Sequence, residues 1–320
     1  MSEPIWKDYT VTLGSADAYD FEIRLDNAAG QLIFSGRAYK RPGASNVEVR
    51  INDVCAAYLH TLLPDPMQAG VFDDDIQRTF VVLYETGGVW TTADTVDFYN
   101  DWSYDNGFDP ATDKLPDPVL KKLDPRQMLL FSALPGATLT GTVYLAGGTT
   151  SAVSASLPNG GTYVLDLSSY IKPVKVTLGG ITWEVADFCR RFAAYYVNAY
   201  GGWDCLLLDG VDARADALTR HTTLKEYDNG DPSARGRKDY AIEYAPAWTL
   251  NTGILSDLES SRMHHLLESP QVYLYDFVDG VFLPVVLTDV EDVRQTYRGN
   301  GRRPAQYTFT AQLAQERFRR

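Results

Sequence analysis

Cysteine is scarce in these 320 residues. There are three, Cys55, Cys189 and Cys205, with no Cys-x-x-Cys and no cysteine–histidine cluster. An odd, sparse count excludes a disulfide framework and a zinc site. It leaves buried thiols in a protein assembled in a reducing cytoplasm. Basic charge is short as well: 29 Lys+Arg stand against 42 Asp+Glu, a formal net charge of -13. Phosphate backbones and anionic lipid surfaces both recruit basic patches, so no nucleic-acid partner and no membrane insertion is expected. No apolar run approaches the roughly 18–20 residues of a spanning helix. The N-terminus, Met1-Ser-Glu-Pro-Ile-Trp-Lys-Asp8, lacks the basic and apolar regions of a secretory signal.

Catalytic signatures are missing too. The chain has no G-x-S-x-G elbow, no G-x-G-x-x-G and no Walker loop. Its four histidines sit in no motif, and the adjacent His264 and His265 would point about 100° apart on a helix. Asp73-Asp74-Asp75 offers carboxylates to a hard cation but lacks the glycine and distal glutamate of a calcium loop. Asp105, Asp109 and Asp113 resemble a metal loop only loosely, and both stretches read as solvated loops. The reading is therefore not an enzyme, with no catalytic residue, no metal and no cofactor.

What is present is material for β-sheet cores. The apolar share is 45% and the aromatic share 12%, with 20 tyrosines. Period-two alternation, the mark of half-buried strands, runs through 9–13, 19–25, 31–39, 47–51, 79–84 and 95–99. A short helix follows Ile51, with Asn52 or Asp53 as its cap and Val54, Cys55, Tyr58, Leu59 and Leu62 on one face. Further strands are expected near 128–132, 139–145, 152–157, 162–167, 174–178 and 181–185. The last third adds strands at 219–227, 239–250, 272–277, 281–287, 293–297 and 306–313. It also holds a capping box, Ser256-Asp-Leu-Glu259, opening a helix over 256–268.

The fold class expected is mainly β and multi-domain, with antiparallel β-sandwich modules and a C-terminal β-rich domain bearing one helix. Residues 1–104 form an N-terminal β domain with one short helix. Residues 105–127, rich in Asp and Pro, form a linker, with a long loop crossing a domain face as the alternative. Residues 128–215 form a sandwich module and 216–320 the C-terminal domain. Val47–Val54 and Tyr163–Tyr170 look alike, each a strand running into a polar helix start, which hints at duplicated modules.

The stretch from Phe192 to Gly210 reads as a strand, a tight Gly201-Gly202 turn and a second strand. Tyr195, Tyr196, Tyr200 and Trp203 on it are candidates for stacking on sugar rings, or else alternate between core and rim. With Arg235, Arg237, Lys238, Arg302 and Arg303, which suit intersubunit ion pairs, they make the candidate interaction surface. Charge is uneven along the chain. Residues 211–320 hold 14 Lys+Arg and 16 Asp+Glu, against 15 and 26 in residues 1–210.

Tyr195-Tyr-Val-Asn-Ala-Tyr-Gly-Gly-Trp-Asp204 resembles a Y-x-x-N-x-x-G-G-W-D hairpin of structural proteins in phage and prophage tail modules. Trp248–Ser261, Leu266–Tyr275, Pro284–Leu287, Ile33–Tyr39 and Ile51–Leu59 fit the same group. The resemblance implies a virion protein of the bacteriophage tail or baseplate, assembled in the host cytoplasm, with a distal-tail-like ring or adaptor as the nearest class. It implies partners among other tail proteins and copies of the chain itself, and brings no catalytic residues. A receptor-facing module binding a host-surface glycan is the alternative.

Overall fold

The computed structural model describes residues 2–5, 8–64, 68–101, 115–117, 122–187, 191–214, 216–224, 237–288, 305–314 and 317–319. The chain is mainly β, in several antiparallel sheets. It divides into two compact units. The first comprises Met1–Lys121, Pro125–Val185 and Val197–Asp204; the second comprises Lys122–Asp124, Ala186–Tyr196 and Cys205–Arg320.

The first unit begins with β1 (Ser2–Pro4), β2 (Thr10–Gly14), β3 (Ala18–Leu25), β4 (Leu32–Tyr39) and β5 (Val47–Arg50). Helix α1 (Asn52–Ala56), β6 (Gly70–Phe72), β7 (Gln77–Thr86) and β8 (Val89–Tyr99) follow. A five-stranded sheet has the order β1-β8-β7-β3-β4, with β1 parallel to β8 and the other pairs antiparallel. Alternation sorts its side chains, sending Phe21, Ile23, Leu25, Phe80, Val82, Val96 and Phe98 to one face. There they form one core with Val11 and Leu13 of β2, Val47 of β5, and Ile51, Cys55 and Leu59 around α1. At the end of the β7–β8 hairpin Gly87 and Gly88 both take positive φ, 61° and 83°, the geometry a two-residue turn demands.

Helix α1 is not capped as its sequence suggests. Ile51 occupies the N-cap and no side chain caps it. The buried Asn52 amide instead donates to the Ile5 carbonyl at 2.7 Å and accepts from the Tyr9 N–H at 2.8 Å. Asn52 thus satisfies backbone groups of the N-terminal segment, and Leu62 lies exposed rather than on the buried face.

Strand β9 (Lys122–Leu123) is counted with the second unit. The first unit resumes with β10 (Met128–Ala133), β11 (Ala137–Leu145), β12 (Thr150–Leu157), β13 (Gly161–Asp166), β14 (Pro173–Leu178) and β15 (Ile181–Val185). Strands β12-β11-β14-β15 lie side by side as an antiparallel meander. Strands β10-β13-β6 form a three-stranded sheet. β6 comes from the N-terminal third and pairs with β13 through Thr162–Phe72, Tyr163–Val71 and Val164–Gly70. A buried cluster joins Ile76 and Tyr99 of the N-terminal third to Leu134 of the sandwich module, with Leu115 from the stretch between them. The separation expected between residues 1–104 and the sandwich module is therefore absent: shared strand pairing and a shared core make them one unit.

The 105–127 stretch also differs from a solvated linker where it is described. Leu115, Asp117, Leu123, Asp124 and Gln127 are all fully buried. After β13 the chain enters a 3₁₀ turn over Leu167–Ser169 capped by Asp166, as β5 leads into α1. The two ends differ in kind: α1 is an α-helix with no side-chain cap, and Leu167–Ser169 is a 3₁₀ turn capped by a carboxylate.

The hairpin consists of β16 (Phe192–Val197) and β17 (Trp203–Leu207). The second unit continues with β18 (Ala213–Arg214), β19 (Ala217–Leu224), β20 (Arg237–Ala245), β21 (Ala247–Asn251), α2 (Asp257–Ser261), α3 (Met263–Leu267), β22 (Val272–Asp276), β23 (Val281–Thr288), β24 (Thr308–Leu313) and β25 (Arg317–Arg319). A seven-stranded sheet has the order β17-β16-β22-β23-β24-β21-β18, and β19-β20-β25 form a three-stranded sheet. The single strand expected over 239–250 is two, divided at Pro246, which has no N–H to give a ladder. The capping box is present: the Ser256 hydroxyl accepts from the Glu259 N–H, and the Glu259 carboxylate accepts from the Ser256 N–H at 2.8 Å. The helix it starts breaks at Arg262 into α2 and α3, which bury Ser260, Met263, His265 and Leu266. The strand expected at 293–297 lies outside the described residues.

Candidate functional site

The most motif-like stretch, Asn198–Asp204, is a loop and the first two residues of β17, with a buried polar hub. Its residues and their partners named here all belong to the first unit, while the hairpin's Phe192–Tyr196 and Cys205–Leu207 belong to the second. The turn is not a two-residue Gly-Gly turn. Five residues, Asn198 to Gly202, separate the strands, and the Asn198 N–H donates to the Gly202 carbonyl at 2.8 Å. The Asn198 side-chain oxygen accepts the N–H groups of Tyr200 and Gly202, each at 3.0 Å. An asparagine side chain that bonds its own following backbone is a turn device in itself.

The other end of that amide faces outward from the turn. Nδ2 donates to the Leu115 carbonyl at 2.8 Å and to the Asp204 carboxylate at 2.6 Å. The Asp204 carboxylate also accepts the Asp117 N–H. The Trp203 N–H donates to the Ser132 hydroxyl at 3.1 Å, which in turn bonds the Thr162 hydroxyl at 3.0 Å. Thr61 donates its hydroxyl to the Gly201 carbonyl at 2.5 Å and accepts from the Asn100 amide at 3.3 Å. The Trp203 indole N–H donates to the Leu62 carbonyl at 3.2 Å. Asn198, Asp204, Asp117, Ser132, Thr162, Thr61 and Asn100 are all buried. Groups of this kind are costly to bury unless bonded; here Asn198, Asp204, Ser132, Thr162, Thr61 and Asn100 bond through their side chains, and Asp117 joins through its backbone N–H.

The two glycines are fixed for different reasons. Gly201 has φ 83°, and a Cβ on it would lie 1.8 Å from the Asn100 carbonyl oxygen. Gly202 is not left-handed; a Cβ there would lie 2.4 Å from Cβ of Leu115. Space, not backbone conformation, requires glycine at 202.

Next to the hub is an acidic loop. The Asp74 carboxylate accepts from the Leu62 N–H at 2.7 Å and the Asp75 N–H at 2.9 Å. Burial pushes its pKa up to about 6, opposed by those two hydrogen bonds. Asp75 pairs with His60 at 3.2 Å and with Arg78. The Asp73–Asp75 carboxylates are thus turned to separate partners. Among the described residues no three His, Cys, Asp or Glu side chains are grouped to hold a metal ion. Asp105, Asp109 and Asp113 lie outside the described residues.

The aromatic part of the expected interaction surface requires correction. Tyr195, Tyr196, Tyr200 and Trp203 are 0%, 1%, 7% and 0% exposed. Tyr195 packs edge-on against Phe282 with centroids 5.1 Å apart, beside Tyr275. Neither reading of the four holds: they offer no face for stacking on a sugar, and they do not alternate between core and rim, because β16 is buried on both faces. Arg237 and Lys238 begin β20, with nothing described of their side chains; Arg235, Arg302 and Arg303 lie outside the described residues. Elsewhere His221 contacts Glu243 at 2.7 Å. His264 and His265 stack edge to face at 4.3 Å, and His265 is buried. Burial, with the neighbouring His264 and Arg262 charges, lowers the His265 pKa to about 3. Burial pushes the Cys55 thiol up to about 12, so it remains a protonated core side chain.

The residues the sequence reading passed over are Thr61, Asn100, Asp117, Ser132 and Thr162, which carry no local signal; Asn198 and Asp204 stood in it only as letters of the Y-x-x-N-x-x-G-G-W-D stretch. Compared with known proteins, the chain matches no family model and no curated relative.

Proposed function

We propose that the protein is a non-catalytic structural component of a bacteriophage tail or baseplate, a distal-tail-like ring or adaptor that works in the virion with other tail proteins and copies of itself. The reading starts from the resemblance of the Tyr195–Asp204 stretch and the shorter stretches that accompany it to tail-module proteins. One observation carries its non-catalytic side. The residues that make the stretch distinctive, Asn198, Gly201, Gly202, Trp203 and Asp204, direct their polar groups and close contacts to one another and to neighbouring groups of the same unit. A motif used in this way specifies a fold, as an assembly component requires. Two multi-stranded β units with 42 acidic residues agree with such a role. The glycan-binding alternative relied on Tyr195, Tyr196, Tyr200 and Trp203, and their burial removes the stacking faces it needs.

The test is immunogold labelling of intact particles with an antibody raised against the purified chain, together with mass spectrometry of the same particles. Label on tails or baseplates is the expected result. Particles that contain no trace of the chain overturn the reading.

A further inference from the structure

We propose that Ser2–Ile5 is a detachable strap: it leaves the edge of β8 while the rest of the first unit stays folded, and the vacated seat takes the same segment of a second copy. The strap's hold is slight. β1 runs parallel to β8 in a sheet whose other pairs are antiparallel, and it spans three register pairs, Ser2–Asp97, Glu3–Phe98 and Pro4–Tyr99. Pro4 has no N–H to give to the ladder. Ile5 enters the core, its N–H donates to the Tyr99 carbonyl at 3.1 Å, and its carbonyl accepts from the Asn52 amide at 2.7 Å. The chain is pinned far more firmly at Tyr9. There the N–H donates to Asn52 and the hydroxyl to Asp94, each at 2.8 Å, and the ring packs edge-on against Phe98 at 5.6 Å. From Thr10 onward β2 is paired with β5. A detachment that starts at Ser2 therefore stops at Tyr9. Phe21, Ile23, Phe80, Val82, Val96 and Phe98 remain joined by the antiparallel β8-β7-β3-β4 ladder. Segments with few ladder bonds and little buried surface open well before the whole unit does.

The segment seated on β8 defines what the seat accepts. Asn52 and Asp97–Tyr99, far from the strap in sequence, meet its backbone, and the core takes the Ile5 side chain. These groups read an extended chain parallel to β8 with an aliphatic side chain at one position, whichever copy it comes from. Exchange needs no rebuilding. In the receiving copy Asn52 Oδ1 keeps the Tyr9 N–H, and Nδ2 takes the incoming carbonyl. Within one chain the short connection from Ile5 to Tyr9 gives the strap an effective concentration of about a millimolar. Separate copies at micromolar concentration therefore keep their own straps. Copies held side by side match that concentration, and exchange between them loses no bond. The strap does not depend on the tail reading, since it needs a second copy and not a virion.

The experiment has two arms, both on the full chain. In the first, amide hydrogen exchange of the wild type is followed by NMR. The Ile5 N–H, bonded to Tyr99, should exchange about a hundredfold faster than the Tyr9 N–H, bonded to Asn52. Equal rates at the two sites overturn the proposal, because the strap then opens only with its anchor. In the second arm the Ile5→Asp variant, whose own strap is displaced, is titrated to millimolar concentration with a synthetic peptide of the Ser2–Asp8 sequence. The variant should stay folded, and the peptide should shift the amide resonances of Asp97, Phe98 and Tyr99. The wild type, its seat filled, should respond at least about tenfold more weakly. The same peptide carrying Ile5→Asp should shift neither protein. A variant that fails to fold overturns the proposal, since a detachable strap is not needed for folding. So does a folded variant that ignores the peptide, or a peptide that binds wild type and variant alike.

Discussion

The side-chain amide of Asn198 donates to the carboxylate of Asp204 at 2.6 Å, six residues along the chain and on the far side of the loop. This bond closes the loop, while the remaining capacity of both groups goes to Leu115, Asp117, Tyr200 and Gly202. Asn198→Ala should leave several buried partners unmatched and cost roughly 3–5 kcal/mol in chemical denaturation. Asn198→Asp keeps the shape but loses both donors and places two carboxylates together. It should be at least as damaging at neutral pH, and partly relieved at acid pH as one carboxyl protonates. Equal stability of wild type and Asn198→Ala would show that the hub does not hold the loop.

Three glycine substitutions separate the reasons for glycine. Gly201→Ala meets both a left-handed backbone and the Asn100 carbonyl, and should be the most destabilising. Gly202→Ala meets Cβ and the backbone carbonyl group of Leu115, so it should cost less in a Leu115→Gly background, which removes that Cβ, than in the wild type. Gly87→Ala, left-handed but with open space around it, should cost only about 1 kcal/mol. Unfolding midpoints of these variants, with Leu115→Gly alone as the reference for the double variant, check the order. An equal cost of Gly202→Ala in the wild-type and Leu115→Gly backgrounds would move the cause from packing back to conformation.

Most strands were legible because one face of each is buried. β3 and β7 alternate, and their register follows from that pattern. The Ser256–Glu259 capping box was legible because it is local in sequence. The buried character of Leu115 and Asp117 was not, because their Asp- and Pro-rich surroundings describe an extended chain whether it crosses solvent or a core. What buries Leu115 lies at Ile76, Tyr99 and Leu134, far away in sequence. The loop was misread for a related reason. Gly201-Gly202 announces a turn, but the bonds of Asn198 and the approach of Asn100 set which turn it is.

Asp74 should make stability fall as pH rises. Its folded pKa of about 6 exceeds the unfolded value of 3.8, so the folded state holds the proton more tightly. The stabilisation is complete below about pH 4 and is lost as pH climbs through 6. Asp74→Asn keeps an oxygen for the Leu62 N–H and has no charge to bury. Denaturation of both proteins across this range should show the variant gaining on the wild type toward neutrality. A constant difference would mean that the Asp74 carboxyl is solvated.

His265 carries the opposite sign. Its folded pKa of about 3 lies below the unfolded 6.5, because burial beside His264 and Arg262 disfavours the imidazolium. Its contribution is present above pH 6.5 and is lost as pH falls toward 3, by up to about 1.4 kcal/mol per pH unit between those values. His265→Gln cannot take the proton, so the wild type should lose ground to it on acidification, against the trend set by Asp74. The imidazole resonances of His265 should stay those of a neutral ring in NMR spectra at pH 5. A His265 ring that titrates near 6.5 would place it in water and not under the α2–α3 turn.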